Sequence, residues 1–351
     1  MLTKIIHEDQ VQHAKSLLKR AETVAILSHQ GPDGDAVGSS LAMADFLHQQ
    51  GKRVQVIYPD PFPEFLQWMP GAEKTLAYAL QPKACEAFLT SSDVILCLDF
   101  NQLKRMGHLG EVVAQSKAKR ILIDHHPNPE PFAEVQISYP SVASTSELVF
   151  RYICRSGYFD EMTRECAECI YTGMMTDTGA FTYNSGKAEM YYIVSELINK
   201  GVDKDAIYNR VFNTWSADRM RLMGFVLNQR MRLYPEYHTA ILTLTQDDQQ
   251  AYNYRNGDSE GFVNLPLSIS GIHVSVFLRE EKERVKLSFR SQGTFAVNAV
   301  AAELFNGGGH VNAAGGEFSG SLQEAFSRLE EALPNLGLNA YYDTNNVKKT
   351  V

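Results

Sequence analysis

Residues 24–40, Val-Ala-Ile-Leu-Ser-His-Gln-Gly-Pro-Asp-Gly-Asp-Ala-Val-Gly-Ser-Ser, constrain this chain more than any other stretch. The apolar run Val24 to Leu27 predicts a buried strand, and Gly31, Pro32 and Gly34 forbid its continuation. His29, Asp33 and Asp35 therefore fall on a tight loop. From Ala36 the apolar positions Leu41, Ala44, Phe46 and Leu47 follow a helical pattern, with Gly51 as its stop. In a parallel α/β sheet the loop of such a strand–loop–helix unit lies at the carboxyl end of the strand, where these folds bind ligands. One imidazole and two carboxylates converging there suit a divalent cation such as Mn²⁺ or Mg²⁺. An Asp-Gly turn with one helix-capping Asp accounts for the same residues without a metal.

The pattern repeats along the first half. Residues 8–20 predict an amphipathic helix, and Arg53–Tyr58, Asp93–Leu98 and Arg120–Ile123 predict further strands. Residues 59–71 hold four prolines and read as a surface excursion. Strands alternating with helical stretches predict an α/β fold with a parallel, doubly wound sheet. The third strand runs into Asp99 and the fourth into Asp124-His125-His126, while a helix over 164–175 leads to Asp177. Four separate stretches thus deliver His or Asp just beyond strand or helix ends. Turn chemistry explains one such site; a metal centre explains all four.

The formal charge of −8, with no long Lys/Arg run, excludes an extended track for long duplex DNA. A short anionic substrate in one local basic pocket remains compatible. No apolar stretch approaches a membrane span, and the first residues lack the apolar segment of a signal peptide, so the expected location is the cytoplasm. Five cysteines, an odd number in a chain of this size, read as reduced thiols. Cys166-x-x-Cys169 reads as a packed helix face.

Residues 187–235 read as a helical connector after a first domain at 1–186. From 236 the runs His238–Leu244, His273–Leu278 and Arg284–Phe289 alternate as strands, a helix follows over 295–305, and then Gly307-Gly308-Gly309-His310. These predict a smaller α+β domain at 236–342, with a frayed tail at 343–351.

Taken together, His29-x-x-x-Asp33-x-Asp35, Asp99, Asp124-His125-His126 and Asp177 resemble the four motifs of the DHH phosphoesterase superfamily. The Gly307–His310 stretch, preceded by Ser288-Phe-Arg290-Ser291, resembles the DHHA1 domain that follows in one branch. The nearest resemblance is to the nanoRNase/pAp phosphatase (exopolyphosphatase-related) group. It implies two divalent ions, Mn²⁺ before Mg²⁺, one held by His29, Asp33 and Asp99 and the other by Asp35, Asp99, His125 and Asp177. Asp99 would bridge them, and two-metal hydrolases hold such ions about 3.5–4 Å apart. Asp124 would orient a histidine, and His126 would face the substrate. An active site in the cleft between the domains is implied, with Arg290 and His310 holding a substrate phosphate. Gly307, Gly308 and Gly309 would present N–H groups to it, and Ser291 and Asn312 would add polar contacts. Arg105, six residues after Asp99, is a further candidate for phosphate contact.

The implied activity is hydrolysis of short single-stranded RNA to mononucleotides and of 3′-phosphoadenosine-5′-phosphate (pAp) to AMP. A soluble cyclic- or linear-dinucleotide phosphodiesterase is the alternative enzyme, and a catalytically silent nucleotide-binding regulator the alternative of another class. Exonucleases with an additional OB-type domain and membrane-tethered phosphodiesterases are set aside on length and hydropathy. Family II pyrophosphatases lack the Gly-Gly-Gly-His domain. A homodimer stays open.

Overall fold

Every residue of the strands Thr23–Leu27 and Val94–Leu98 is buried, which only a sheet covered on both faces can accommodate. In chain order the computed structural model contains α1 (Glu8–Arg20), β1 (Thr23–Leu27), α2 (Gly34–Gln49), β2 (Arg53–Tyr58), β3 (Leu76–Ala77), α3 (Pro82–Thr90), β4 (Val94–Leu98) and α4 (His108–Gln115). Next come β5 (Lys119–Asp124), β6 (Val135–Ser138), α5 (Thr145–Arg155), α6 (Arg164–Asp177), α7 (Ala188–Asn199) and α8 (Lys204–Phe212). The six strands form a parallel sheet in the order β3-β2-β1-β4-β5-β6. Such an order reverses direction between β1 and β4, and the crevice at their carboxyl ends is where doubly wound folds bind ligands. His29 and Asp99 stand at those two ends.

Alternation along the strands feeds two cores. Val24, Ile26, Leu96, Leu98, Ile121 and Ile123 pack with α2, α5 and α6, while Ala25, Leu27, Ile95, Cys97 and Leu122 pack with α3 and α4. Helices α3 and α4 and the short edge strand β6 add to the alternation read from the sequence. Residues 59–71 differ from a surface excursion. Leu66 and Met69 are buried and join the core over α2.

The chain divides into two units, Met1–Thr214 and Trp215–Val351, and the structure describes residues 3–339, 341 and 342. The tail expected at 343–351 lies outside the described residues. Helices α7 and α8 belong to the first unit. The second unit opens with α9 (Ala217–Phe225) and a π-helical turn, Val226–Arg230. The helical connector expected up to residue 235 then gives way to β7 (Met231–Tyr234), whose pairing with the next strand overrides its local preference. There follow β8 (Thr239–Leu244), α10 (Gln246–Ala251), β9 (Val274–Glu280), β10 (Val285–Ser291), α11 (Val297–Phe305), β11 (Gly308–His310), β12 (Ala313–Phe318) and α12 (Leu322–Ala332). These strands form a mixed sheet in the order β11-β12-β10-β9-β8-β7, with β8 and β9 parallel. Residues from α11 and α12 fill one face, and Leu222, Val226 and Phe262 fill the other.

All five cysteines are free thiols, and Cys166 and Cys169 are buried on α6. Burial pushes both thiols well above their ordinary range, so they act as packing groups. No helix among the described residues is long and apolar enough to cross a membrane.

Candidate metal centre

The loop after β1 serves two purposes at once. Asp33 is the N-cap of α2, its Oδ1 accepting from the backbone N–H of Asp35 at 3.1 Å and of Ala36 at 3.0 Å. The same oxygen lies 3.9 Å from His29 Nε2. The capping explanation and the metal explanation therefore hold together at one residue. His29 Nδ1 lies 2.9 Å from the Gln30 carbonyl, which places a proton on Nδ1 and aims Nε2 into the site.

Asp99 follows β4 with φ +66, a left-handed conformation that costs a residue other than glycine backbone strain. Its Oδ2 lies 3.5 Å from His29 Nε2, and its Oδ1 lies 3.7 Å from His125 Nε2. One carboxylate thus faces two histidines with different oxygens. Burial works against the charge on Asp99. The bond with His29 and the positive potential of His126, His29 and His125 outweigh it and hold the carboxyl well below the usual range. His29 responds in the opposite direction. Burial disfavours its charged form, yet Asp99 and Asp33 raise its pKa above the ordinary value.

Asp35, in the first turn of α2, faces His125 Nε2 at 3.9 Å, and Asp177 Oδ2 faces the same nitrogen at 3.5 Å. Burial, then the charges of Asp99 and Asp177, push the Asp35 carboxyl well above its ordinary value. Asp177 is the last residue of α6 because Thr178 closes the helix. The Thr178 hydroxyl donates to the Met174 carbonyl at 2.6 Å and accepts from the Phe181 N–H at 3.0 Å. Gly179, Ala180 and Phe181 then continue with positive φ. Strain again sits beside a candidate ligand.

Behind these groups Asp124, fully buried, accepts from His126 Nδ1 at 2.7 Å. His126 is therefore the histidine that Asp124 orients. Asp124 Oδ2 is buried and has no hydrogen-bond partner among the described residues.

The donors fall into a set of His29, Asp33 and Asp99 and a set of Asp35, His125 and Asp177, the ligand atoms of each lying within 4.8 Å of one another. Imidazole nitrogens and carboxylate oxygens suit a borderline divalent ion, and the buried carboxylates of Asp35 and Asp99, with the exposed Asp33 and Asp177 beside them, need cationic charge. The chemistry of the set fits divalent metal.

Arg105 lies in a turn whose carbonyl accepts from the Gln30 N–H at 2.8 Å. Its charge lowers the His29 pKa, so the guanidinium is near the centre, and it makes no ion pair with any described residue.

In the second unit the Gly-rich stretch is Gly307 followed by strand β11, at the edge of the sheet. A Cβ on Gly307 would lie 2.0 Å from the Gly315 carbonyl oxygen, and one on Gly309, at φ +140, would lie 2.5 Å from that of Ala313. Close approach of β12 therefore requires glycine at both positions. Gly308 has nothing within 4 Å of its would-be Cβ. Arg290 pairs with Ala313 and so does His310, placing both in one row of the sheet. Ser291 donates to the Phe295 carbonyl at 2.7 Å and accepts from Asn312 at 2.9 Å, and Asn312 also donates to the Gly293 carbonyl at 2.8 Å. Ser291 and Asn312 brace the loop beside that row.

Thr145 and Ser146 enter the centre without having been singled out from the sequence. The Thr145 N–H donates to Asp35 Oδ2 at 2.6 Å, the Ser146 N–H to Asp35 Oδ1 at 2.9 Å, and the Thr145 hydroxyl to Asp99 Oδ1 at 2.8 Å. The available signal was Ser144-Thr-Ser-Glu147, a helix-start pattern.

The model of the DHH family, N-terminal domain, matches residues 23–174, and that of the DHHA1 domain matches residues 238–335. A bifunctional oligoribonuclease and PAP phosphatase NrnA from Thermus thermophilus is 32% identical over 329 residues, 93% of this chain and 94% of that protein. The protein of the same description from Bacillus subtilis is 27% identical over 295 residues, 84% of this chain and 88% of that one. A crystal structure of an exopolyphosphatase-related protein from Bacteroides fragilis aligns with TM-score 0.91 and 52% identity over 95% of this chain and 98% of that chain. With the motif residues gathered as described, the chain belongs to the DHH family of phosphoesterases and carries a DHHA1 domain after its DHH domain.

Proposed function

We propose that this protein hydrolyses short oligoribonucleotides to mononucleotides and pAp to AMP, using two divalent ions with Mn²⁺ preferred. The observation that carries this reading is the division of Asp99, with Oδ2 toward His29 and Oδ1 toward His125. His29, Asp33 and Asp99 would hold one ion, and Asp35, Asp99, His125 and Asp177 the other. A pair of cations there would supply charge stabilisation for phosphoryl oxygens and lower the pKa of water.

The chain's own residues do the rest. Asp124 fixes the orientation of His126 through Nδ1, so Nε2 is the ring atom that would meet the leaving oxygen or a phosphoryl oxygen. Arg105 offers a cation to a phosphate oxygen, and Arg290 and His310 hold a second phosphate or the chain terminus. The substrate assignment is supported by the two relatives described as oligoribonuclease and PAP phosphatase, each matched along most of its length.

The test is a panel of pAp, linear and cyclic dinucleotides, and oligoribonucleotides, assayed with purified protein in Mn²⁺ and in Mg²⁺. Release of AMP from pAp and of mononucleotides from short RNA is expected. A cyclic dinucleotide turned over tenfold better than either would replace this reading with the cyclic-dinucleotide phosphodiesterase.

A further inference from the structure

We propose that Thr145 is the positioning residue that couples the two donor sets, and that its hydroxyl sets the affinity of the centre for metal. The inference rests on the two-metal reading above and deepens it.

The geometry is a single residue touching two carboxylates from different elements. Through its backbone N–H, Thr145 donates to Asp35 Oδ2 at 2.6 Å, and through Oγ1 it donates to Asp99 Oδ1 at 2.8 Å. Asp35 belongs to α2 and Asp99 to the loop after β4, so α5 ties the two together. Ser144 is the N-cap, its hydroxyl accepting from the Glu147 N–H at 3.1 Å. Thr145 and Ser146 thus carry the first N–H groups of the helix, which have no partner within it. Both are spent on Asp35, whose carboxylate sits where the helix dipole favours negative charge.

Room for this arrangement is built into α6. A Cβ on Gly173 would lie 1.9 Å from Ser146 Oγ and 2.9 Å from Asp35 Oδ1. Glycine there lets the α5 terminus and Asp35 meet. Thr145 itself is fully buried, so its hydroxyl has no water to turn to.

Asp99 Oδ1 is the oxygen that faces His125. By donating to it, the Thr145 hydroxyl fixes the rotation of the carboxylate, which leaves Oδ2 toward His29. Without that bond the carboxylate can rotate, and its division between the two sets is no longer held before metal arrives. Groups that orient metal ligands in this way typically contribute about 10–100-fold in metal affinity or activity.

The experiment is Thr145→Val, which keeps shape and the backbone N–H while removing the hydroxyl, with Thr145→Ser as the conservative restoration. Mn²⁺ binding to metal-stripped protein is measured by calorimetry, beside thermal unfolding in EDTA. Expected is at least about tenfold weaker Mn²⁺ binding in Thr145→Val, affinity restored to within about threefold in Thr145→Ser, and metal-free unfolding little changed. Thr145→Ala repeats the measurement if the valine variant does not fold. Mn²⁺ affinity within twofold of the parent in the hydroxyl-free variant overturns the inference, as does a loss that Thr145→Ser does not restore. If the parent protein itself binds no Mn²⁺, the two-metal reading fails and this inference falls with it. A parent that binds and a variant that binds equally well reject only the role of Thr145.

Discussion

Arg290 and His310 stand in one row across the second sheet, each directly opposite Ala313 of the strand between them. Residues opposite one another on neighbouring strands share a face, and two strand spacings separate these two by roughly 10 Å. A row of this kind offers two cationic or donor groups to one anionic ligand. A charge-assisted hydrogen bond is worth about 1.5–3 kcal/mol, and ~1.4 kcal/mol is tenfold. Arg290→Ala is therefore expected to lower kcat/KM for pAp by roughly ten- to a hundredfold, with bound metal unchanged. Steady-state kinetics beside metal analysis checks this. Unchanged kcat/KM in both Arg290→Ala and His310→Ala, for pAp and for short RNA, would remove the phosphate role.

Asp99→Asn keeps the size of the side chain but replaces one carboxylate oxygen with an amide that cannot ligate as an anion. Because Asp99 faces both donor sets, hydrolysis should fall below a tenth of the parent rate in Mn²⁺, with circular dichroism unchanged. A variant above that threshold contradicts the bridging role.

Metal uptake should depend on pH in a direction set by Asp35 and His29. Both have pKa values raised above their ordinary ranges, Asp35 first by burial and His29 by Asp99 and Asp33 against the opposing effect of burial. Metal needs the carboxylate and the neutral imidazole, so binding displaces protons. Affinity is then highest above the raised His29 value and falls as pH drops through it, starting above the ordinary imidazole value of 6.5. Calorimetry in buffers of different ionisation enthalpy should show proton release at neutral pH. Proton uptake, or affinity that rises on acidification, would reverse the sign.

Much of this candidate centre was legible because the residues it gathers are local in sequence to strand and helix ends. Apolar runs ending in His29, Asp99 and His125 need only the rule that parallel sheets bind ligands at their carboxyl ends. Thr145 was not legible, since its role comes from two contacts across more than forty residues of chain that no periodicity records. Strand β7 was missed for a related reason. Its four residues carry no alternating pattern strong enough to outweigh the helical run before them, and pairing with β8 decides the outcome. Gly307 and Gly309 show a third limit, because close approach of β12 already accounts for both. Glycine marks close approach, and whether the approaching group is a ligand or another strand is a tertiary matter.

Chain length should matter to the substrate. With a net charge of −8 and no run of basic residues, affinity must come from a few contacts at one site. Oligoribonucleotides of roughly two to five residues are expected to be degraded faster than a 24-mer at equal molar concentration, because added phosphates find no partner. Degradation ladders give the comparison directly. Equal rates would imply a binding track outside the centre.

Gly307 and the two glycines of β11 make separable predictions. Alanine at Gly307 meets the Gly315 carbonyl oxygen at 2.0 Å, so Gly307→Ala should destabilise the protein by about 1–3 kcal/mol through forced backbone shifts. Gly309→Ala should do the same, since φ +140 and the Ala313 carbonyl both oppose a side chain. Gly308 is different. Its would-be Cβ meets nothing within 4 Å, and its strand pairs on one side only, so Gly308→Ala should leave unfolding nearly unchanged, within about 0.5 kcal/mol. A methyl there would nonetheless hold a phosphate away from the backbone N–H groups of the edge. If these groups contact substrate, KM for pAp rises about tenfold in Gly308→Ala, the equivalent of ~1.4 kcal/mol, while bound metal and thermal unfolding match the parent. Unfolding curves for all three variants, beside pAp kinetics for Gly308→Ala, separate the two roles. Parent-like KM in Gly308→Ala, with Gly307→Ala and Gly309→Ala destabilised, would assign the whole stretch to sheet packing.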